Sequence, residues 1–218
     1  MIRDFFLTKD LKPNYLYLLI TFFIMITFPV LHLAIDEITW IFHICYSLVI
    51  LTSIIYAYTK KKKISLGAAI GILAFITFWA ETFVDNQFTM GANLIFNFLF
   101  FIFLLNQVIF ETIREKNVTL NTLYAVSVGY FILGMMGFWL LTFLDILAPE
   151  SFIGNVSNNR SYDLMYYSFV TLTSVGYGDI HTINAEGKAI SLLIGIIGQL
   201  YVSFTIALIV GKYLNQKN

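Results

Sequence analysis

Long apolar runs, broken at short intervals by charged clusters, dominate this chain. Crossing a lipid bilayer as a helix takes about 20 apolar residues. Six runs meet that length: Tyr15–Ala34, Ile38–Tyr58, Ile64–Val84, Gly91–Ile113, Thr122–Leu147 and Ala185–Leu214. The last two are longer than a bilayer needs and are expected to tilt or to extend beyond it. A seventh segment, Ser161–Leu172, is too short to span and too apolar for a free loop. It predicts a re-entrant helix, with Ser161 as N-cap and Asp163 in the first turn. The loops between the first four runs are very short, so these helices should form a tight antiparallel bundle.

Composition sharpens the class. Of 218 residues, 59% are apolar and 12% charged, and mean hydropathy is +0.80. This is a multi-spanning membrane protein by composition. The net charge is +0, which gives a nucleic-acid role no electrostatic support. The single cysteine, Cys45, lies in an apolar run and reads as a packing residue. No Cys/His spacing of a metal site appears. The first run is too long for a cleavable signal, and no small-residue cleavage site follows it.

Charge asymmetry orients the spans. Arg3, Lys9 and Lys12 precede the first, Lys60 to Lys63 separate the second and third, Arg114 and Lys116 the fourth and fifth, and Lys212 and Lys217 follow the sixth. With six spans, all of these fall on one side. The opposite loops carry Asp36, Glu37, Asp85, Asp145, Glu150, Asp179 and Glu186. The excess of bases marks the cytoplasmic side, so both termini are expected in the cytoplasm of a cell-membrane protein.

The candidate chemistry lies between the re-entrant helix and the last span, in Thr171-Leu172-Thr173-Ser174-Val175-Gly176-Tyr177-Gly178-Asp179. Gly176 and Gly178 can take positive φ at little steric cost. Alternating handedness would point successive backbone carbonyls to one side, where they could replace the water shell of an ion. Val175 and Tyr177 would pack outward, and the Ser174 hydroxyl could add a ligand at the inner end. A bare Gly-Tyr-Gly could be an ordinary turn, but the nine-residue string sits between two apolar helices.

This string resembles the selectivity filter of potassium channels, and Thr122–Tyr213 resembles their two-helix pore domain. The resemblance implies an all-α membrane protein with six transmembrane helices, a re-entrant pore helix and a filter, assembled as a homotetramer. It implies passive K+ conduction, with K+ as the permeant ion held at Ser174, Val175, Gly176, Tyr177 and Gly178. Tyr166 and Tyr167, where relatives often carry paired tryptophans, would form an aromatic cuff; they could equally be interfacial anchors. Thr173 and Asp179 would support the filter. Gly195 and Gly198 are candidates for a gating hinge or for close packing. Val202, Ile206 and Val210 are candidates for the cavity or inner gate. His181 is a candidate pH sensor at the outer mouth, or a residue turned away behind the filter. Ser174 stands where most relatives have threonine, and His181-Thr182 replace the usual aromatic and proline.

Six spans with the filter between five and six resemble the voltage-gated architecture, dividing the chain into 1–116 and 117–218. The fourth run, however, has no Arg or Lys before Arg114. Moving one charge through 100 mV is worth about 2.3 kcal/mol, so a sensor without charges gains nothing from the field. The bundle is therefore expected to have sensor topology without voltage sensing. Within it, Asn93, Asn97, Asn106 and Gln107 are expected to bond between helices. Gly67 and Gly71 should allow close packing, and Pro29 should kink the first span. His43 reads as structural or as a proton sensor, and Glu81 as partner-satisfied or as part of a sensing site. Only Gly211–Asn218 follows the last span, leaving no room there for a cytoplasmic ligand-binding domain. Membrane lipids and an unidentified regulatory protein are the other expected partners. Two rival readings stand beside the channel: a non-conducting regulatory subunit, and a potassium-uptake transporter component, which would normally carry four degraded filter loops.

Overall fold

The structure, a computed structural model, describes residues 15–27, 38–61, 66–84, 86–154 and 160–217. Pro29, His32, Asp36, Glu37 and Asp85 lie outside the described residues, as do Arg3, Lys9, Lys12, Lys62 and Lys63. The helices follow the apolar runs: α1 Tyr15–Thr27, α2 Ile38–Lys61, α3 Leu66–Phe83, α4 Gln87–Arg114, α5 Leu120–Leu147, α6 Arg160–Leu172 and α7 Ala185–Lys217. Four of them, α3, α4, α5 and α7, are long and apolar enough to cross a membrane; α1 and Trp40–Tyr56 of α2 are shorter apolar stretches. Among the described residues all regular structure is helical apart from one small ladder, consistent with an all-α membrane protein.

Local signals start the helices. Asn86 caps α4 by accepting the Thr89 amide at 2.7 Å, and Thr119 and Thr122 form a capping box at the start of α5. Ser161 is not the cap of α6, because the helix already includes Arg160; Asp163 does sit in its first turn. The cap position thus falls before Arg160, one step or more upstream of the expectation.

The bundle packs where side chains are smallest. A Cβ on Gly67 would meet the ring of Phe103 at 1.8 Å, and one on Gly71 would meet Phe100 and Ile54 at 2.7 Å. The paired glycines thus let α3 close on α4 and α2, as expected. Asn93 and Asn97 bond between helices, Asn97 reaching the Ala74 carbonyl on α3 at 3.3 Å. Asn106 departs from the expectation: it is exposed and donates to Ile102 of its own helix at 2.9 Å. His43 is packed among the rings of Trp40, Phe42, Phe78 and Trp79.

The two halves of the chain are tied along α1 and at one end of the bundle. α1 lies against α5, with Phe22 and Phe131 stacked at 5.5 Å. At one end the Tyr15 hydroxyl donates to Glu111 at 2.6 Å and Tyr56 joins both, while the Tyr15 amide donates to Asn121 at 3.1 Å. At the same end Lys212 of α7 donates to the carbonyls of Thr112, Ile113 (2.9 Å) and Glu115 (2.6 Å). These are the carbonyls an α-helix leaves unpaired at its C-terminus, and a cation suits them.

After α5, a single 3-10 turn Pro149–Ser151 leads into β1 Phe152–Gly154, which pairs antiparallel with β2 Ile180–Thr182. Phe152 stands opposite Thr182 and Ile153 opposite His181. This ladder brackets the segment between α6 and α7.

Candidate functional site

The helix α6 ends at Leu172, and the chain turns back on the helix's own free carbonyls. Ser174 donates its amide to Thr171 at 3.0 Å, and the amides of Val175 and Gly176 both point to Val170, at 3.1 and 3.4 Å. Their N–H groups face α6, so the opposite side of this backbone is left to carbonyls. The dihedrals alternate in hand: φ is +58° at Ser174, +55° at Gly176 and +79° at Gly178. Among the described residues Ser174 is the only non-glycine with positive φ. In a normal strand successive carbonyls point to opposite faces; reversing the hand at every second residue brings them to one face.

The two glycines are needed for conformation and not for space. A Cβ on Gly176 or Gly178 would meet nothing within 4 Å, but positive φ costs an L-residue about 1–2 kcal/mol. Ser174 bears that cost with a side chain present. Its hydroxyl accepts a hydrogen bond from Gln199 Nε2 of α7 at 3.0 Å. A hydroxyl has two lone pairs, so one is still available to a further donor or ion. Sequence reasoning found Ser174 but not its handedness, nor its partner Gln199.

The neighbouring side chains bond to both ends of this segment and to α7. The Tyr166 hydroxyl donates to Asp179 at 2.8 Å, closing a brace from the middle of α6 to the far end of the segment. Partial burial and the Asp179 carboxylate push the Tyr166 phenol up to about 12, so it stays a donor at neutral pH. Tyr167 bonds instead to Ser191 of α7 at 2.7 Å. Thr173 donates back to Phe169 at 2.7 Å, and Tyr130 of α5 donates to the Leu172 carbonyl at 3.1 Å. Val175 and Tyr177 turn away from Gln199 and border a 250 Å³ hollow with residues of α6 and Ile26 of α1.

At the opposite end of α6, Arg160 makes a two-pronged bond to Asp145 of α5, Nε to Oδ2 at 3.0 Å and Nη2 to Oδ1 at 2.6 Å. Its guanidinium lies 5.1 Å from the Phe152 ring centroid. The carboxylate holds the Arg160 guanidinium above its already high ordinary pKa. This pair ties α6 to α5 and was not anticipated, because an intervening run of 14 residues separates the partners in sequence.

The remaining candidates lie on α7 and β2. Gly198 packs where a Cβ would be 2.2 Å from the Leu172 carbonyl oxygen; at Gly195 the nearest atom, Thr171 O, is at 3.6 Å. α7 runs unbroken through both. Val202, Ile206 and Val210 are exposed on the single chain. His181, also exposed, borders an 850 Å³ groove shared with Ser174, Lys188 and Gln199. The structure brings Ser174–Asp179, Tyr166 and Gln199 together; it sets Val202, Ile206 and Val210 progressively farther along α7.

Residues 119–215 match the family model described as an ion channel. Over 86 residues the chain is 28% identical to the potassium voltage-gated channel subfamily A member 5 of Rattus norvegicus, an alignment covering 37% of this chain and 14% of that protein. The Mus musculus protein of the same name matches with the same identity and coverage. The match therefore spans a small part of these relatives' length. It supports a channel protein and not an enzyme. Residues 119–215 of this chain are thus similar to ion channels, and both of these relatives are named as potassium channels.

Proposed function

We propose that this protein conducts K+ passively and selectively across a membrane, through a path formed by four copies of the chain. The alternation of backbone hand at Ser174, Gly176 and Gly178 carries the reading. A row of carbonyls turned to one side is suited to a weakly held, dehydrated cation that must leave as readily as it enters. One chain supplies one wall of such a path, so further copies complete it. α7 exposes the apolar residues Leu192, Ile196, Val202 and Phe204 on the single chain, as an element awaiting neighbours or lipid would.

In this reading Val175–Gly178 carbonyls and Ser174 hold K+, and Thr173, Tyr166, Tyr167 and Asp179 hold their geometry. Residues 117–218 are the pore domain and residues 1–116 a four-helix bundle, giving six spans with both termini in the cytoplasm. α4 has no Lys or Arg before Arg114 at its last turn, so the bundle does not sense voltage in the conventional way. Purified protein in liposomes, under opposed K+ and Na+ gradients, tests the proposal. A reversal potential far from zero, following K+, is expected; a value near zero refutes selectivity. Absence of any current from pure protein, restored by a second channel subunit, would favour the regulatory-subunit alternative.

A further inference from the structure

A continuous chain of side-chain hydrogen bonds crosses the interior of the bundle and ends on the pore domain. The Trp139 indole of α5 donates to the Tyr46 hydroxyl of α2 at 3.0 Å, and that hydroxyl donates to Asn97 Oδ1 of α4 at 2.7 Å. Asn97 Nδ2 donates to Asn93 Oδ1 at 2.5 Å, and Asn93 Nδ2 donates to the Glu81 carboxylate of α3. Tyr46 and Asn97 are 0% exposed, and Asn93 and Trp139 3%. Glu81 is half-buried, in the last turn of α3.

The sense of this chain is forced from both ends. An indole can only donate, and an ionised carboxylate can only accept. Each intervening group must therefore pass its donor toward Glu81. A charged acceptor at the end strengthens its own bond, and bonds in series polarise one another in a dry interior. Protonating Glu81 removes the charge and turns the terminus into a donor, so the sense of the chain is no longer held from the Glu81 end. From α2 the titratable neighbours are Tyr46 itself and His43, whose ring lies 4.9 Å from Phe78 and 6.0 Å from Trp79.

We propose that Glu81 is a proton-binding site whose occupancy is passed through Asn93, Asn97 and Tyr46 to Trp139, so that acidity on its side of the membrane resets the pore domain. This rests on the channel reading above and on its topology, which sets the C-terminal end of α3 on the same side as the outlet of the ion path. Ionised Glu81 holds α5 against the bundle, and acid loosens that hold.

Two measurements on the full-length protein test it. Open probability is compared at external pH 8 and 5 in a His181→Gln background, which removes the other external candidate. The open–closed equilibrium is expected to change by about fivefold or more, the lower end of usual coupling between sites. Glu81→Gln keeps an acceptor for Asn93 without a titrating proton, and Tyr46→Phe breaks the chain while Glu81 still titrates. Both should lose the response. A response in either variant equal to the parent overturns the proposal. Should Tyr46→Phe fail to assemble, Trp139→Phe removes the last link in its place. The second measurement needs no current. With Trp40 and Trp79 changed to Phe, Trp139 emission is followed from pH 8 to 5, and its change should vanish on adding Glu81→Gln. An emission change that persists overturns the proposal. Absence of K+ current at every pH would refute the channel reading instead, and the emission would still decide this one.

Discussion

Replacing Gly198 by alanine would put a methyl carbon 2.2 Å from the Leu172 carbonyl oxygen and 2.9 Å from Leu172 Cδ1, where ordinary contact begins at 3.4 Å. The carbonyl has little room to retreat, because it closes α6 and is held at 3.1 Å by Tyr130. α7 must move out, carrying the adjacent Gln199 away from Ser174. Overpacking of this kind costs about 1–3 kcal/mol. Loss of the Gln199–Ser174 bond adds about 1 kcal/mol. The helix propensity gained over glycine returns about 1 kcal/mol. The net is a destabilisation of about 1–3 kcal/mol per chain, with the filter's inner end released. Gly195→Ala is the control: its nearest neighbour, Thr171 O, lies at 3.6 Å, so the propensity gain stands alone. Thermal unfolding in detergent should show a fall of several degrees for Gly198→Ala and none for Gly195→Ala, at about 2–4 °C per kcal/mol. Reversal potentials should show weakened K+ selectivity in the first only. Equal stability and equal selectivity in the two variants would refute the packing argument. Unchanged stability with altered opening would make Gly198 a hinge.

Gly178→Ala has open space but φ of +79°, so it should strain the filter by about 1–2 kcal/mol per chain and bring the bi-ionic reversal potential to near zero. Open probability in symmetrical K+ without divalent cations should lack a steep sigmoid in voltage, because α4 has no base before Arg114; several gating charges per channel would contradict this. Arg160→Gln and Asp145→Asn, measured by unfolding in a double-mutant cycle, should couple by about 1 kcal/mol, since these side chains are 33% and 20% exposed and partly screened; zero coupling would remove the pair from the support of α6.

What was legible in the sequence follows from which constraints leave a trace in residue type. A bilayer demands long apolar runs, so the helices were found to within a few residues at most described ends. Left-handed backbone favours glycine, so Gly176 and Gly178 marked two of the positions where the chain reverses its hand. Ser174 shares their backbone hand and carries no such mark, because what holds it is Gln199, 25 residues away. The β1–β2 ladder has three residues per strand, too few to show alternation. Tyr46 and Trp139 read as apolar in any hydropathy count, yet each carries one polar atom, and those atoms join the two halves. Lys212 was legible as a charge near the end of the last apolar run. Its three carbonyl partners on the α4 end were not, since a helix's unpaired carbonyls are the same for every sequence.

The contacts on α7 also restrict where that helix can bend without disturbing the ion path. Gly198 is seated on the last carbonyl of α6, and Gln199 is bonded to the innermost residue of the filter. About two turns earlier, Tyr167 holds Ser191, and two residues after Gln199 the Tyr201 hydroxyl donates to Val126 of α5 at 2.8 Å. From Ser191 to Tyr201 the helix is therefore fastened to α6, the filter and α5 in turn. Bending within this stretch breaks at least one of these bonds, so in the proposed channel opening there would change conduction at the Ser174–Gly178 segment itself. Bending beyond Tyr201 breaks none of them. It is opposed instead by Lys212, which is bonded to the end of α4 and so links any movement of the lower helix to the bundle. A gate at Val202, Ile206 or Val210 would then answer to the bundle, and a gate at the filter to α6 and α5.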